Sequence, residues 1–230
     1  MNNGKSLSSA ELLRLVLPRV VGFLLITGAV LFLPAGRFAY WQAWMYIAIL
    51  YIPFCFVFVY LLKNAPDLLE RRMRMKEKET QQKKIILISY LFFLLAFILP
   101  GLDVRLGWSK VPAPVSVAAA VGVLLGYMLV FLVFRENRYA SRVVEVGESQ
   151  QVISSGPYAL VRHPMYVGTL VMYLLSPLAL GSYWAVLPAL GLLPVIIARI
   201  LNEEAVLARD LAGYAQYMQK VRWRLIPFIW

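Results

Sequence analysis

The chain has 230 residues, 61% hydrophobic and only 15% charged, with a mean hydropathy of +0.70 and a formal net charge of +11. Soluble domains run near a quarter charged, so the composition is that of a membrane protein, and the single cysteine, Cys55, excludes an intrachain disulfide. The basic residues flank apolar segments, a pattern of membrane orientation and anionic headgroups that argues against nucleic acid as a partner.

Residues 1–19 are polar and weakly basic, with Lys5, Arg14 and Arg19. An apolar run follows from Val20 to about Gly36; no A-x-A-like cleavage site follows it, so it reads as a span and not as a signal peptide. Further apolar spans fall at about 43–62, 85–101, 115–134, 165–180 and 184–201. A hydrocarbon core of ~30 Å needs about 20 helical residues; two spans reach that length and four are slightly short. The last pair is split by Gly181-Ser182 and carries Pro177, Pro188 and Pro194, which predicts two kinked segments or a tight helical hairpin. Lipid leaves few alternatives to helices, because every backbone polar group must be satisfied internally. The expected fold is therefore an all-α integral membrane protein of five to six transmembrane helices, ending in a helical hairpin and an amphipathic C-terminal helix. Residues 1–134 form a four-helix transmembrane region and residues 135–230 a C-terminal module expected to hold the catalytic and cofactor-binding groups.

The connection over 63–84 interleaves Asp67, Glu70, Glu77 and Glu79 with eight basic residues and reads as a solvated surface helix or a charged connector. Over 203–221, Leu207, Leu211, Tyr214, Met218 and Val221 recur at 4-3-4-3 spacing, one face of a helix too polar to span. Such a helix lies on the membrane or caps a pocket. The ending, Arg222 to Trp230, mixes tryptophan with arginine, as suits the headgroup level. Lys and Arg number three before the first span, eight in 63–84, four in 135–164 and five from Arg199 onward; the alternate connections hold only Arg37, Arg105 and Lys110. That asymmetry puts both termini on the cytoplasmic side, and with them His163 and the stretch Arg199–Glu204.

Two polar constellations can carry chemistry. His163, the only histidine, precedes Pro164, which suits the first position of a helix. The N–H groups and positive dipole end that follow suit a carboxylate. Tyr158 and Tyr166 nearby can stack on a flat ring or serve the interfacial aromatic belt. Arg199, Asn202, Glu203 and Glu204 end an otherwise apolar helix; Arg199 and Glu203 stand one turn apart and can pair, while Glu204 points about 100° further round. Ionisable groups at membrane depth are costly and so are candidates for function. There is no G-x-S-x-G, no Walker loop, no HExxH and no clustered set of metal ligands.

In order, Arg162-His163-Pro164-x-Tyr166-x-Gly168, Arg199-x-x-x-Glu203-Glu204, Tyr214-x-x-Tyr217 and Pro227-Phe228-Ile229 resemble the isoprenylcysteine carboxyl methyltransferase family over about residues 143–230. The resemblance implies a membrane-embedded methyltransferase that uses S-adenosylmethionine. It implies a cofactor pocket lined by Gln150, Gln151, Val152, Ile153, Tyr158, His163, Pro164, Met165, Tyr166 and Glu204. Arg199 takes the position of an arginine tied to substrate and catalysis, beside Glu203; Arg199 and Glu204 are the implied catalytic pair. Two features depart from that pattern. Asp210-Leu211-Ala212-Gly213 replaces the family's frequent Phe-Gly, and the ending Val221-x-Trp223-Arg224-Leu225-Ile226-Pro227 is also similar to membrane sterol reductases. The expected acceptor is a lipophilic or lipidated molecule that enters from the bilayer, most simply a carboxylate such as a prenylcysteine-type carboxyl group; membrane lipids are the other expected partners. A phospholipid amine N-methyltransferase, which needs Glu203 or Glu204 as a base, and an NADPH-dependent membrane reductase are the alternatives.

Overall fold

The computed structural model describes residues 9–73, 80–141, 146–147 and 150–230, and among these it is all helical. The elements are α1 (Ser9–Ala35), α2 (Trp41–Asn64), α3 (Pro66–Met73), α4 (Thr80–Leu106), α5 (Ala113–Glu136), α6 (Pro164–Ala179), α7 (Val186–Asp210) and α8 (Tyr214–Lys220). A 3₁₀ turn, Gly156–Ala159, precedes α6. Helices α1, α2, α4, α5 and α7 are each long and apolar enough to cross a membrane. The chain is thus a multi-pass membrane protein, as expected. Helix α6 has 16 residues, about 24 Å of rise, and is short against a ~30 Å core.

The helices close a ring: α1 packs on α2 and α4, α2 on α5, α5 on α6, and α4 and α6 both on α7. The most extensive pairing, α5 with α6, rests on two glycines. A Cβ on Gly126 would stand 2.7 Å from the Gly168 carbonyl oxygen, and one on Gly168 2.6 Å from that of Gly126. No side chain fits between these backbones, the close approach that membrane helix pairs favour. Gly168 lies one turn into α6, so this contact also sets where the polar stretch before Pro164 emerges.

Three boundaries differ from the expectation. Helix α1 starts near Ser9 and not at Val20, because Leu12 and Val16 are buried and extend the apolar face into the polar lead-in. Helix α7 continues past residue 201 to Asp210, with Glu204 and Val206 buried on one face. The face from Leu207 to Val221 does pack as one cluster, but on two helices: Gly213 takes a left-handed φ of 85° and breaks the run before α8. Within 63–84, α3 buries Leu68 and Leu69, while Arg74, Lys76, Glu77, Lys78 and Glu79 fall outside the described residues.

One end of the ring is tied by neutral groups. Asp103 near the end of α4 accepts hydrogen bonds from the Ser109 N–H (2.6 Å), the Ser109 hydroxyl (2.6 Å) and the Ser182 hydroxyl (2.5 Å). Tyr40 donates to the Leu180 carbonyl at 2.5 Å. These bonds join the α4–α5 and α6–α7 turns. The opposite end carries the 3₁₀ turn, the start of α6, the end of α7, α8 and the final segment.

Candidate active site

The stretch Arg162-His163 is held by the chain's last segment through backbone bonds. The Arg162 N–H donates to the Trp223 carbonyl (2.8 Å) and the His163 N–H to that of Arg224 (3.0 Å). The Arg162 side chain turns inward. Its Nε donates to Glu204 Oε1 at 2.6 Å, and its Nη1 reaches the carbonyls of Val221 (2.9 Å) and Arg222 (2.8 Å). His163 Nε2 stands 3.1 Å from the same Glu204 oxygen, and Arg224 Nε donates to Glu204 Oε2 at 2.8 Å. Arg162, His163 and Glu204 are all buried. Glu204 is therefore surrounded by two guanidinium groups and an imidazole. Such a buried carboxylate joins α7, the start of α6 and the final segment.

Its neighbour Glu203 faces elsewhere, as the helical offset requires. The Tyr166 hydroxyl donates to Glu203 Oε2 at 2.6 Å and accepts from Arg199 Nε at 2.8 Å. Tyr166 of α6 thus bonds both residues that were expected to pair, Arg199 and Glu203. The three side chains form a chain of charge-assisted hydrogen bonds across the α6–α7 contact.

Beside it opens a cleft lined by polar and aromatic side chains. Gln150, Gln151, Val152, Ile153, Tyr158, His163, Met165, Tyr166, Arg199 and Glu203 all line it. So do Asn137, Tyr139, Arg162, Leu207, Leu211, Tyr214 and Tyr217. Two residues expected in the cofactor pocket stand apart from this lining: Pro164 is fully buried as the first residue of α6, and Glu204 is enclosed by its three partners. The free N–H groups expected at the start of α6 are also largely used, since the Tyr166 and Val167 N–H groups return to the His163 carbonyl at 3.0 and 3.2 Å.

The aromatic wall is braced from outside. The Tyr158 hydroxyl accepts from Asn137 Nδ2 (2.9 Å) and its carbonyl from the Tyr217 hydroxyl (2.8 Å). Burial pushes the Tyr158 phenol up to about 12, and burial likewise raises Tyr217, so both are neutral donors at physiological pH. Arg72 of α3 donates to the Ala140 carbonyl at 3.0 Å and lies over the Phe134 ring, 4.4 Å from its centroid. Tyr214 is different. Its hydroxyl is buried and meets no hydrogen-bonding partner among the described residues. Burial, with Glu204 and Glu203 nearby, raises its phenol above the ordinary value. A buried, unmatched hydroxyl is costly unless a ligand answers it.

Among the residues that sequence reasoning left without a site role are Arg162 and Arg224. Both were legible as basic residues at the membrane edge. That both turn inward on one carboxylate depends on the final segment folding back, for which no local pattern exists.

Residues 115–212 match the family model of phospholipid methyltransferases. The matched region runs from α5 to the end of α7 and contains the motif residues from Arg162 to Glu204. No curated protein matches the chain significantly. The family match supports a membrane methyltransferase and hence a methyl donor in the site. It does not distinguish the isoprenylcysteine type from other members of the wider group.

Proposed function

We propose that the protein transfers a methyl group from S-adenosylmethionine to a lipophilic acceptor that reaches the cleft from the bilayer. The observation that carries this reading is the cleft itself. It sits at one end of a membrane-spanning ring, couples an aromatic, neutral wall to the Arg199–Tyr166–Glu203 chain, and holds a buried hydroxyl that meets no partner among the described residues. These groups fit the cofactor. Tyr158 and Tyr217 offer rings for a purine, Gln150 and His163 polar edges, and the Tyr214 hydroxyl a donor for a carboxylate or hydroxyl of the ligand. When bound, the cofactor supplies an electrophilic sulfonium methyl.

The residues of the chain then supply position and dryness. Arg199 presents a planar fork to an acceptor carboxylate, and Tyr166 keeps that fork aimed by accepting from its Nε. A carboxylate is already a nucleophile at neutral pH and needs no base. Alignment and water exclusion are therefore the main contributions of the site. Glu203 is the carboxylate that faces the cleft, and Glu204 serves as the anchor that holds Arg162 and His163 in the wall. On the Lys and Arg asymmetry, the site faces the cytoplasm.

A second reading is favoured by the family match: the acceptor is a phospholipid amine. An ammonium must lose a proton before attack, and Glu203 is the group placed to take it. Labelled cofactor fed to membranes containing the protein separates the two. Base-labile label released as methanol supports an ester; label in phospholipid headgroups supports N-methylation. Purified protein that shows no S-adenosylmethionine binding by calorimetry at millimolar cofactor would refute both.

A further inference from the structure

The last six residues leave the polar surface that α8 occupies and return to the apolar helices. Leu225 is buried in one cluster with Tyr166, Ile196 and Ile200, and Trp230 packs on that cluster with Val167, Leu170 and Tyr173. Ile196 stands about 21 Å along α7 from its Asp210 end. The chain therefore doubles back onto the apolar cluster between α6 and α7.

Most backbone donors of this turn are met within it, the Phe228 N–H being the one without a backbone partner among the described residues. The N–H groups of Arg224, Leu225 and Ile226 converge on the Trp230 carbonyl oxygen at 2.9, 2.9 and 3.1 Å, and those of Ile229 and Trp230 reach the Ile226 carbonyl, both at 3.1 Å. Pro227 has no N–H to satisfy. Pairing these donors internally lowers the cost of leaving water.

The side chains point the other way. Ile226, Phe228 and Ile229 are 52%, 86% and 74% exposed, a contiguous apolar tip. Phe228 adopts a φ of 67°, a left-handed conformation unfavourable for any residue with a Cβ. Strain that displays a phenylalanine outward has no advantage in water.

We infer that residues 225–230 form a re-entrant turn whose partner is the lipid bilayer, with Ile226, Phe228 and Ile229 seated among acyl chains beside α6 and α7. This rests on the membrane-spanning character of the helices and is independent of which methyl acceptor the site takes. The turn packs on the cluster that contains Tyr166, the residue that bonds Arg199.

The test uses the full chain in nanodiscs of phosphatidylcholine and phosphatidylglycerol. In a Cys55→Ser background, Phe228→Cys and Ile229→Cys are each labelled with an environment-sensitive fluorophore; Ala215→Cys on the exposed face of α8 is the control. Lipids carrying a nitroxide on the acyl chain are expected to quench positions 228 and 229 at least threefold more than position 215, and iodide in the buffer to do the reverse. Iodide quenching at 228 and 229 equal to that at 215 would overturn the inference. Protection from both quenchers would also overturn it and would indicate a covering protein surface. Both positions are exposed, so labelling leaves the core packing intact, and agreement between them guards against a local artefact.

Discussion

Glu204 at the site end and Asp103 at the other end are buried carboxylates, 5% and 1% exposed. They are held in opposite ways. Asp103 accepts from a backbone N–H and two serine hydroxyls, all neutral. Glu204 accepts from Arg162 and Arg224 and contacts His163. Neutral donors suit a latch between two turns, where little else must be organised. Cationic donors suit a hub: each brings its own segment, and Arg162 carries further bonds to the carbonyls of Val221 and Arg222. The cleft is built on the hub and not on the latch. The difference teaches that burial of an acid at a bundle end does not by itself mark a site. What matters is whether its partners also line a cavity.

The largest effect should come from removing the hub. Glu204→Ala leaves the buried Arg162 guanidinium without its counter-charge, a kind of loss that costs about 3–5 kcal/mol. Thermal unfolding in detergent should show it, together with loss of cofactor binding. Stability within about 1 kcal/mol of wild type would mean that the other Arg162 contacts carry the segment alone.

Asp103→Asn should cost less, about 1–3 kcal/mol: the amide oxygen can still accept at one position, while the NH2 at the other can only donate, so the serine hydroxyls there must reverse or lose their bonds. Cofactor affinity should be unchanged, since the latch lies at the end away from the cleft. A large fall in affinity would break the comparison by coupling the two ends through the ring.

Much of this was legible before any coordinates. The spans follow from hydropathy, and the Gly181-Ser182 break marks the turn between α6 and α7. The limits are physical. The early start of α1 is hidden because its first turns bury only one stripe, around Leu12 and Val16. Asp103 reads as an ordinary acid at a span's end; Ser109 and Ser182, its partners, are far apart in sequence. The adjacent Glu203 and Glu204 are told apart only by what folds over them. Helical geometry turns them about 100° apart, but no pattern says that Arg224 returns to meet one and Tyr166 the other. Long-range closure by the final segment is what hides the Glu204 hub.

Within the site, Arg199→Lys should lower turnover at least tenfold, about 1.4 kcal/mol of transition-state stabilisation, with the fold and cofactor binding retained. Lysine snorkels as well as arginine but lacks the fork and the Nε that donates to Tyr166. Turnover above half of wild type would favour an interfacial anchor, or an acceptor without a carboxylate.

The smallest and most discriminating change is Tyr214→Phe. The hydroxyl it removes is buried and without a partner among the described residues, unlike the hydroxyls of Tyr166 and Tyr217. Deleting an unsatisfied buried group relieves a desolvation cost, so the ligand-free protein should unfold at the same temperature or slightly higher. If that hydroxyl answers a polar group of the cofactor, the same substitution should weaken S-adenosylmethionine binding about three- to tenfold, the value of one hydrogen bond of ~1 kcal/mol. The two readouts thus move in opposite directions, which no merely structural role of Tyr214 predicts. Melting with and without saturating cofactor measures both in one experiment, because the ligand-induced shift scales with affinity. An unchanged shift in Tyr214→Phe would remove this hydroxyl from the cofactor contacts.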